Sequence, residues 1–321
     1  MPFAGLDFSV NVNVYGPNPL LLSAVQHADH ARYPDSAYLT VRERLGAWHG
    51  VGVGSVVPAV GASELLHRVA RAYLRPGDRV LSVLAPFGEF GRAAALERAT
   101  VETVCPGQIV EAVRSGVTLV YLGHPHNPTG ALLSADDLAA LQRSCEQAGA
   151  LLIVDLAYAP FLWWPDLPLT PHTVLLHSPG KAHGLVGARP AYALAAPGVA
   201  AALNNLAPAW ALPAGTAALL EALPDAQAFM PESLPKVARN AAQLEQDLSA
   251  HGEVERHGTP FMTLRVRDAA RMSAALLSRG FRVRDCTSYG LPDQLRISAR
   301  LLEENARLVQ VIREVLRGGN R

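Results

Sequence analysis

The chain predicts an α/β protein: a large domain with a mostly parallel sheet covered by helices, then a small α+β domain at the C-terminus. Three observations lead there. Short apolar runs alternate with amphipathic segments between about residues 55 and 195, the mark of βαβ units whose strands are buried on both faces. The alternation stops after about residue 205, where Pro208, Pro213, Pro224, Pro231 and Pro235 punctuate the chain. Half of the 321 residues are hydrophobic and only 17% are charged, which is core enough for one large or two ordinary domains.

Residues 1–34 are rich in Asn, Pro and Tyr with little periodicity and read as an extended arm, of which 1–28 packs with the small domain. Asp35 or Ser36 can cap a helix to about Trp48. Ser55 to Val60 is a short strand. Gly61-Ala62-Ser63-Glu64 then opens an amphipathic helix with Leu65, Leu66, Val69 and Tyr73 inward. Strand Arg79 to Leu84, a helix from about Gly88, strand Thr100 to Val104, helix Gln108 to Arg114 and strand Val117 to Leu122 continue the pattern. Ser134 and Asp137 have capping-box spacing for the next helix, and strand Ala150 to Val154 follows. Two apolar runs, Thr173 to Leu176 and Tyr192 to Ala195, flank a loop. The large domain is placed at 29–221 and the small one at 222–321. The latter holds a helix at roughly Lys236 to Ala250, strand Phe261 to Val266, helix Ala269 to Arg279, strands Phe281 to Arg284 and Gln294 to Ser298, and a last helix from Glu303.

Composition excludes several classes of function. Net charge is zero, so nothing electrostatic favours nucleic acid or an anionic membrane. Cys105, Cys145 and Cys286 are odd in number and far apart, as expected of free thiols in a reducing compartment. The first residues lack a basic region and a long apolar run, and no stretch of about 18 apolar residues is uninterrupted, so a soluble, cytoplasmic protein is expected. Gly50-Val-Gly-Val-Gly54 lacks full GxGxxG spacing, and Gly180-Lys181 is followed by Ala182 rather than a Walker hydroxyl. His27, His30, His124 and His126 have no metal-ligand partner pattern, and no metal is expected.

The loop between the two apolar runs holds Ser178, Lys181 and Arg189 among Gly180, Gly184 and Gly187. So little bulk between core strands lets backbone approach a ligand closely, although a solvated surface turn has the same composition. Elsewhere stand His124-Pro-His-Asn127-Pro-Thr-Gly130, Asp155-Leu-Ala-Tyr158 at a strand end, and Leu295-Arg296-Ile-Ser298. In this order, with Ser178-x-x-Lys181 and Arg189, they resemble the N-P-x-N-P-T-G, lysine-loop and L-R-I-S motifs of fold-type I pyridoxal phosphate (PLP) enzymes. The group is the class I/II aminotransferase superfamily, and the resemblance covers nearly the whole chain. It is nearest the branch with histidinol-phosphate aminotransferase and threonine-phosphate decarboxylase.

The resemblance implies PLP as cofactor and a role for each matching residue. Lys181 would hold PLP as a Schiff base and then move the substrate's α-proton. Asp155 would pair with the pyridine nitrogen, and Tyr158 and Asn127 with the ring's phenolic oxygen. Ala62 and Ser63 at a helix start, with Ser178 and Arg189, would cradle the phosphate. Phe87 would stack on the ring, and Tyr33 would reach the phosphate from a second subunit, making a homodimer with shared active sites. Arg296 and Arg284 would bind the substrate's anionic groups, while Asn13 and Tyr15 in the arm would close over it. Phe87 also reads as a core residue, and Arg284 as a surface charge.

The chain departs from the pattern at His124 (family Asn), Gly180 (a hydroxyl residue), Pro190-Ala191 after Arg189, and Pro260 (often Asn). Transamination between an amino acid or phosphorylated amine and a 2-oxo acid is the expected activity. Decarboxylation of a phosphorylated amino acid, as in corrinoid biosynthesis, and a non-catalytic regulatory protein of the same fold are the alternatives.

Overall fold

A computed structural model describes residues 3–164 and 167–318. In chain order its elements are β1 (Leu6–Asp7), α1 (Pro19–Gln26), α2 (Leu39–His49), β2 (Val56–Val60), α3 (Ala62–Tyr73), β3 (Arg79–Val83), α4 (Gly88–Leu96) and β4 (Thr100–Val104). There follow α5 (Ile109–Ala112), β5 (Val117–Gly123), α6 (Ala135–Ala148), β6 (Leu151–Asp155), β7 (Thr173–His177), β8 (Pro190–Ala195), α7 (Pro197–Asn205) and α8 (Ala214–Ala222). The C-terminal part holds α9 (Phe229–Ser249), β9 (Val254–Glu255), β10 (Phe261–Arg265), α10 (Ala269–Leu277), β11 (Phe281–Arg282), β12 (Arg284–Asp285), β13 (Gln294–Ser298) and α11 (Leu302–Gly318).

The large sheet has seven strands in the order β2-β8-β7-β6-β5-β3-β4. Strands β7, β6, β5, β3 and β4 run parallel, while β8 is antiparallel to both neighbours. Successive side chains of a strand point to opposite faces, and the central strands are apolar on both. Leu152 and Val154 of β6 join the cluster that holds Leu138, Leu141 and Cys145 of α6. Leu151 and Ile153 join the opposite one, with Leu65, Leu66 and Val69 of α3 and Phe90 of α4. A sheet covered on both sides leaves its functional groups at the strand ends. Strands β5 and β6 end there at Gly123 and Asp155.

The smaller sheet is antiparallel, in the order β12-β13-β10-β9. Beside it β1 pairs in parallel with β11, Leu6 opposite Phe281. Phe8 is buried with Phe281, Met262, Leu264, Leu295 and Leu308 in a third apolar cluster.

Four details differ from the expectation. The arm contains a helix, α1, begun by Asn18, whose Oδ1 accepts from the Leu20 and Leu21 amides, with Pro19 in the first turn. That cap and that proline are a start signal, hidden by the short length of the apolar run. Helix α8 lies in the stretch read as merely punctuated and α7 just before it, where no element was expected; Pro197 and Pro213 stand at the two helix starts, where a missing N–H costs nothing. Helix α9 begins earlier and includes Pro235. A proline there costs roughly 3 kcal/mol. Leu234, Val237, Leu244 and Leu248 are buried along the same helix, each contributing about 1.5–3 kcal/mol, so burial wins. Finally, Phe281 to Arg284 is two strands with different partners. Ser134 caps α6 as expected, its Oγ accepting from the Asp137 amide at 3.1 Å, whereas the cap position of α2 is Tyr38, and Asp35 reaches the Leu39 amide with Oδ2 at 2.8 Å from three residues before it.

Three histidine rings are sunk in this core. His124 lies edge-on to Trp164, centroids 4.7 Å apart, with no protein partner for either ring nitrogen. His177 is stacked flat on Tyr192 at 4.7 Å, its Nε2 enclosed. His183 Nδ1 accepts from Asn18 Nδ2 at 3.0 Å. Burial lowers His124 and His183 to about 4. Burial, then the neighbouring His49 charge, lowers His177 to about 3. The unfolded chain therefore takes up these protons first, near pH 6.5. Stability is whole above that pH and falls as pH drops from about 6.5 toward the folded values, each ring removing up to about 1.4 kcal/mol per unit. Urea unfolding at pH 7.5 and pH 5.5 checks this through His177→Phe, which keeps the stack on Tyr192. The variant is expected to lose about 1.4 kcal/mol less than the wild type across that interval.

Candidate active site

A cavity of about 600 Å³ opens at the carboxyl ends of β5 and β6, bounded also by the loop after β7, the start of α3, the arm and the smaller sheet. Its charged lining is Asp155 against Lys181, Arg189, Arg284 and Arg296. Four cations to one carboxylate favour a ligand with more than one anionic group.

The Lys181 loop is drawn tight by the bonds from the Lys181 amide to Ser178 O at 3.2 Å and from the Leu185 amide to Gly180 O at 2.8 Å. Lys181 Nζ sits 4.6 Å from the centre of the Tyr158 ring. The glycine before it is required by its surroundings: a Cβ at Gly180 would lie 2.9 Å from Leu185 O and 3.1 Å from the Pro190 ring. Two of the departures from the family pattern are thus in contact, with the Leu185 carbonyl and then the Pro190 ring taking the room that a side chain at 180 would need.

Asp155 ends β6 with each oxygen engaged. Oδ1 accepts from the Ala157 amide and Oδ2 from the Tyr121 hydroxyl, both at 3.0 Å. Its backbone carbonyl accepts from the His124 amide at 2.9 Å. The Tyr158 hydroxyl, one turn on, accepts from Asn11 Nδ2 at 3.1 Å, and its ring meets Phe261 edge-on.

At the other wall Gly61 precedes α3 with φ of +84°, and a Cβ there would fall 2.2 Å from Arg189 Nη2. Only a glycine lets the guanidinium lie against the first turn of the helix, beside Ala62 and Ser63, whose amides are unspent there. Ser178 and Phe87 line the same space. Arg296, on β13, is buried and gives one bond to Asn127 Oδ1 and another to Ser9 O. Arg284 donates to Ser288 Oγ at 2.8 Å and lies over the Tyr289 ring.

The structure therefore gathers Lys181, Asp155, Tyr158, Asn127, Phe87, Ala62, Ser63, Ser178, Arg189, Arg296 and Arg284 around one cavity. Three expected residues lie off its lining. Asn13 is a correction: its amide is committed to Ala182 O and Ser233 Oγ, at 2.9 and 2.8 Å, beneath the Lys181 loop. Tyr15 is another, its hydroxyl accepting from Asn240 Nδ2 at 2.9 Å and its ring facing Lys236. The arm residues that do line the cavity are Ser9, Val10 and Asn11. Tyr33 is 78% exposed, tilted against Trp210 with centroids 4.6 Å apart, and not on its own chain's cavity lining.

Sequence reasoning missed Asn11, Tyr121 and His126. His126 occupies the variable position of the asparagine motif, where its Nε2–H donates to Ala85 O at 3.1 Å and its Nδ1 accepts from Thr129 Oγ1 at 2.9 Å. Strand parity alone carried no signal for Tyr121, because its sharing a face with Asp155 follows only from the register of β5 on β6. Among the described residues no group of three or more His, Cys, Asp or Glu could hold a metal ion, and no helix is long and apolar enough to cross a membrane.

Comparison with known proteins identifies the family. Residues 5–312 match the family described as aminotransferase class I and II. Histidinol-phosphate aminotransferase 1 of Thiobacillus denitrificans is 32% identical, over 95% of this chain and 84% of that protein. Histidinol-phosphate aminotransferase 2 of Pseudomonas aeruginosa is 31% identical, over 98% and 90%. The structure of histidinol-phosphate aminotransferase from Sinorhizobium meliloti in complex with pyridoxal-5'-phosphate superposes with a TM-score of 0.88 at 23% identity, covering 97% of this chain and 91% of that one. L-threonine-O-3-phosphate decarboxylase from Porphyromonas gingivalis superposes equally, TM-score 0.88 at 20% identity, covering 97% and 99%. Those two likenesses concern the fold alone. By the match along nearly its whole length, the chain belongs to the class I and II aminotransferase family.

Proposed function

We propose that this protein is a pyridoxal 5'-phosphate-dependent aminotransferase that moves an amino group between an amino acid or phosphorylated amine and a 2-oxo acid, in the manner of histidinol-phosphate aminotransferase. The observation that carries the proposal is one amine, Lys181 Nζ, held over the Tyr158 ring in the same cavity as the Asp155 carboxylate. The residues present fit the cofactor. Gly61 leaves Arg189 a place at a helix start that a side chain would close, which suits a phosphate. A buried carboxylate suits a protonated ring nitrogen. When bound, the cofactor supplies an electron sink for the bond broken at the substrate's α-carbon.

The chain's own groups do the rest. Lys181 Nζ anchors the cofactor and, once released, takes and returns the α-proton. Asp155 keeps the ring nitrogen protonated. Tyr158 and Asn127 orient the ring's hydroxyl side, and Phe87 covers its face. Ala62, Ser63, Ser178 and Arg189 hold the phosphate. Arg296, steadied by Asn127 and Ser9, and Arg284, steadied by Ser288, bind the substrate's anionic ends. Asn11 takes over the closing role first assigned to Asn13 and Tyr15.

The exposure of Tyr33 supports a homodimer in which it serves the second subunit's site. The same proposal divides the chain into an arm (1–28), a large domain (29–221) and a small domain (222–321), and places the protein in the cytoplasm.

A second reading is decarboxylation of a phosphorylated amino acid. It is favoured by Arg284 and Arg296 in one cavity, which can together grip a phosphate and leave the α-carboxylate free. With an amine such as histidinol phosphate, which has no carboxylate, the same grip leads to transamination.

Borohydride reduction of the holoenzyme followed by peptide mapping is expected to place the pyridoxyl label on Lys181, and Lys181→Ala to lose both label and activity. Label on another lysine overturns the assignment. Asp155→Ala is expected to retain the cofactor yet lose several powers of ten in single-turnover rate, each factor of ten being about 1.4 kcal/mol of barrier. A near-normal rate removes Asp155 from the chemistry. Glutamate formed from histidinol phosphate and 2-oxoglutarate is the expected assay result. Carbon dioxide released from threonine phosphate, with the amino group left on the product and none passed to the cofactor or to a 2-oxo acid, selects the second reading.

A further inference from the structure

Strands β5 and β6 are in parallel register with Tyr121 opposite Ile153 and Gly123 opposite Asp155. Tyr121 and Asp155 are thus two steps apart on one face of the sheet, a diagonal separation that a tyrosine can span. The Tyr121 ring is stacked on Phe90, centroids 4.7 Å apart and planes 16° from parallel. That stack holds the hydroxyl at 3.0 Å from Asp155 Oδ2. Opposite it, the Ala157 amide holds Oδ1 at 3.0 Å. A carboxylate has about four acceptor positions, so one donor on each oxygen stops rotation while leaving lone pairs for a third partner in the cavity.

We propose that Tyr121 is a positioning residue, which sets the orientation and the charge of the Asp155 carboxylate toward the cofactor's ring nitrogen. The inference rests on the reading of the cavity as a pyridoxal phosphate site. Burial, and then the Asp155 charge beside it, push the Tyr121 phenol well above its usual value, so its proton stays on oxygen and is donated. Without that donor the carboxylate rotates about one remaining bond. It also presents more of its charge to the cofactor, which favours the protonated form of the lysine-linked nitrogen.

Tyr121→Phe removes the hydroxyl and keeps the stack on Phe90. In the holoenzyme without substrate, the midpoint pH of the cofactor's colour change is expected to rise by about half a unit. In steady state, kcat is expected to fall about tenfold with KM within about threefold. A side chain that only fills space leaves both readings where they are, because phenylalanine fills the same space. Tyr121→Met, which lacks the hydroxyl in another shape, carries the same expectations should the phenylalanine variant not fold. A midpoint within about a tenth of a unit and kcat within about twofold in a folded variant overturns the role of Tyr121 alone. A wild-type protein that takes up no cofactor at Lys181 overturns the site reading together with it.

Discussion

Asp155 is the constraint around which the molecule is arranged. A carboxylate at the end of a central strand, under two layers of helices, loses its water and needs donors in return. The chain supplies them from different depths: Ala157 from the turn just after the strand, Tyr121 from the neighbouring strand. The peptide that follows β5 closes on the carbonyl of the same residue. Once that carboxylate is fixed, the cations have a reference point. Lys181 comes from one side on the β7 loop, Arg189 from the start of β8, and Arg296 from the smaller sheet. All three reach the one cavity that Asp155 also lines.

Much of this was legible because it is local. The apolar runs that became β5, β6 and β7 are buried on both faces, so each reads as a strand without knowledge of its neighbours. Asp155, Lys181 and Arg189 stand directly at the ends of such runs. What was not legible depends on residues distant in sequence. Tyr121 looks like one more apolar strand position until the register of β5 on β6 is known. Asn11 and Asn13 are two residues apart in an arm without periodicity. Their separate fates, one on the cavity and one under the loop, are set by Tyr158 on one side and by Ala182 and Ser233 on the other. Helix α1 escaped because eight residues carry too few turns for a clear stripe.

The arm also ties the two sheets together. Leu6 pairs with Phe281, Phe8 fills the smaller apolar core, and Ser9 receives Arg296. Asn11 reaches Tyr158, Asn13 binds the lysine loop through both backbone and side chain, and Asn18 reaches Ala226 O. Any movement of the smaller sheet relative to the larger one is therefore transmitted to the cavity through about a dozen consecutive residues, an economical linkage for a site with charged groups on both sides.

The contact between Gly180 and Pro190 bears on how this sequence diverged. With the proline ring 3.1 Å from where a Cβ at 180 would sit and the Leu185 carbonyl 2.9 Å from it, position 180 has no room for a side chain unless both neighbours give way. A hydroxyl residue at 180 would require relief from the Pro190 ring and a shift of the Leu185 carbonyl as well. The cost of a side chain at one position is thus set partly by a residue ten positions away, so a substitution at 180 is expected to be tolerated better after the ring at 190 is removed than before it.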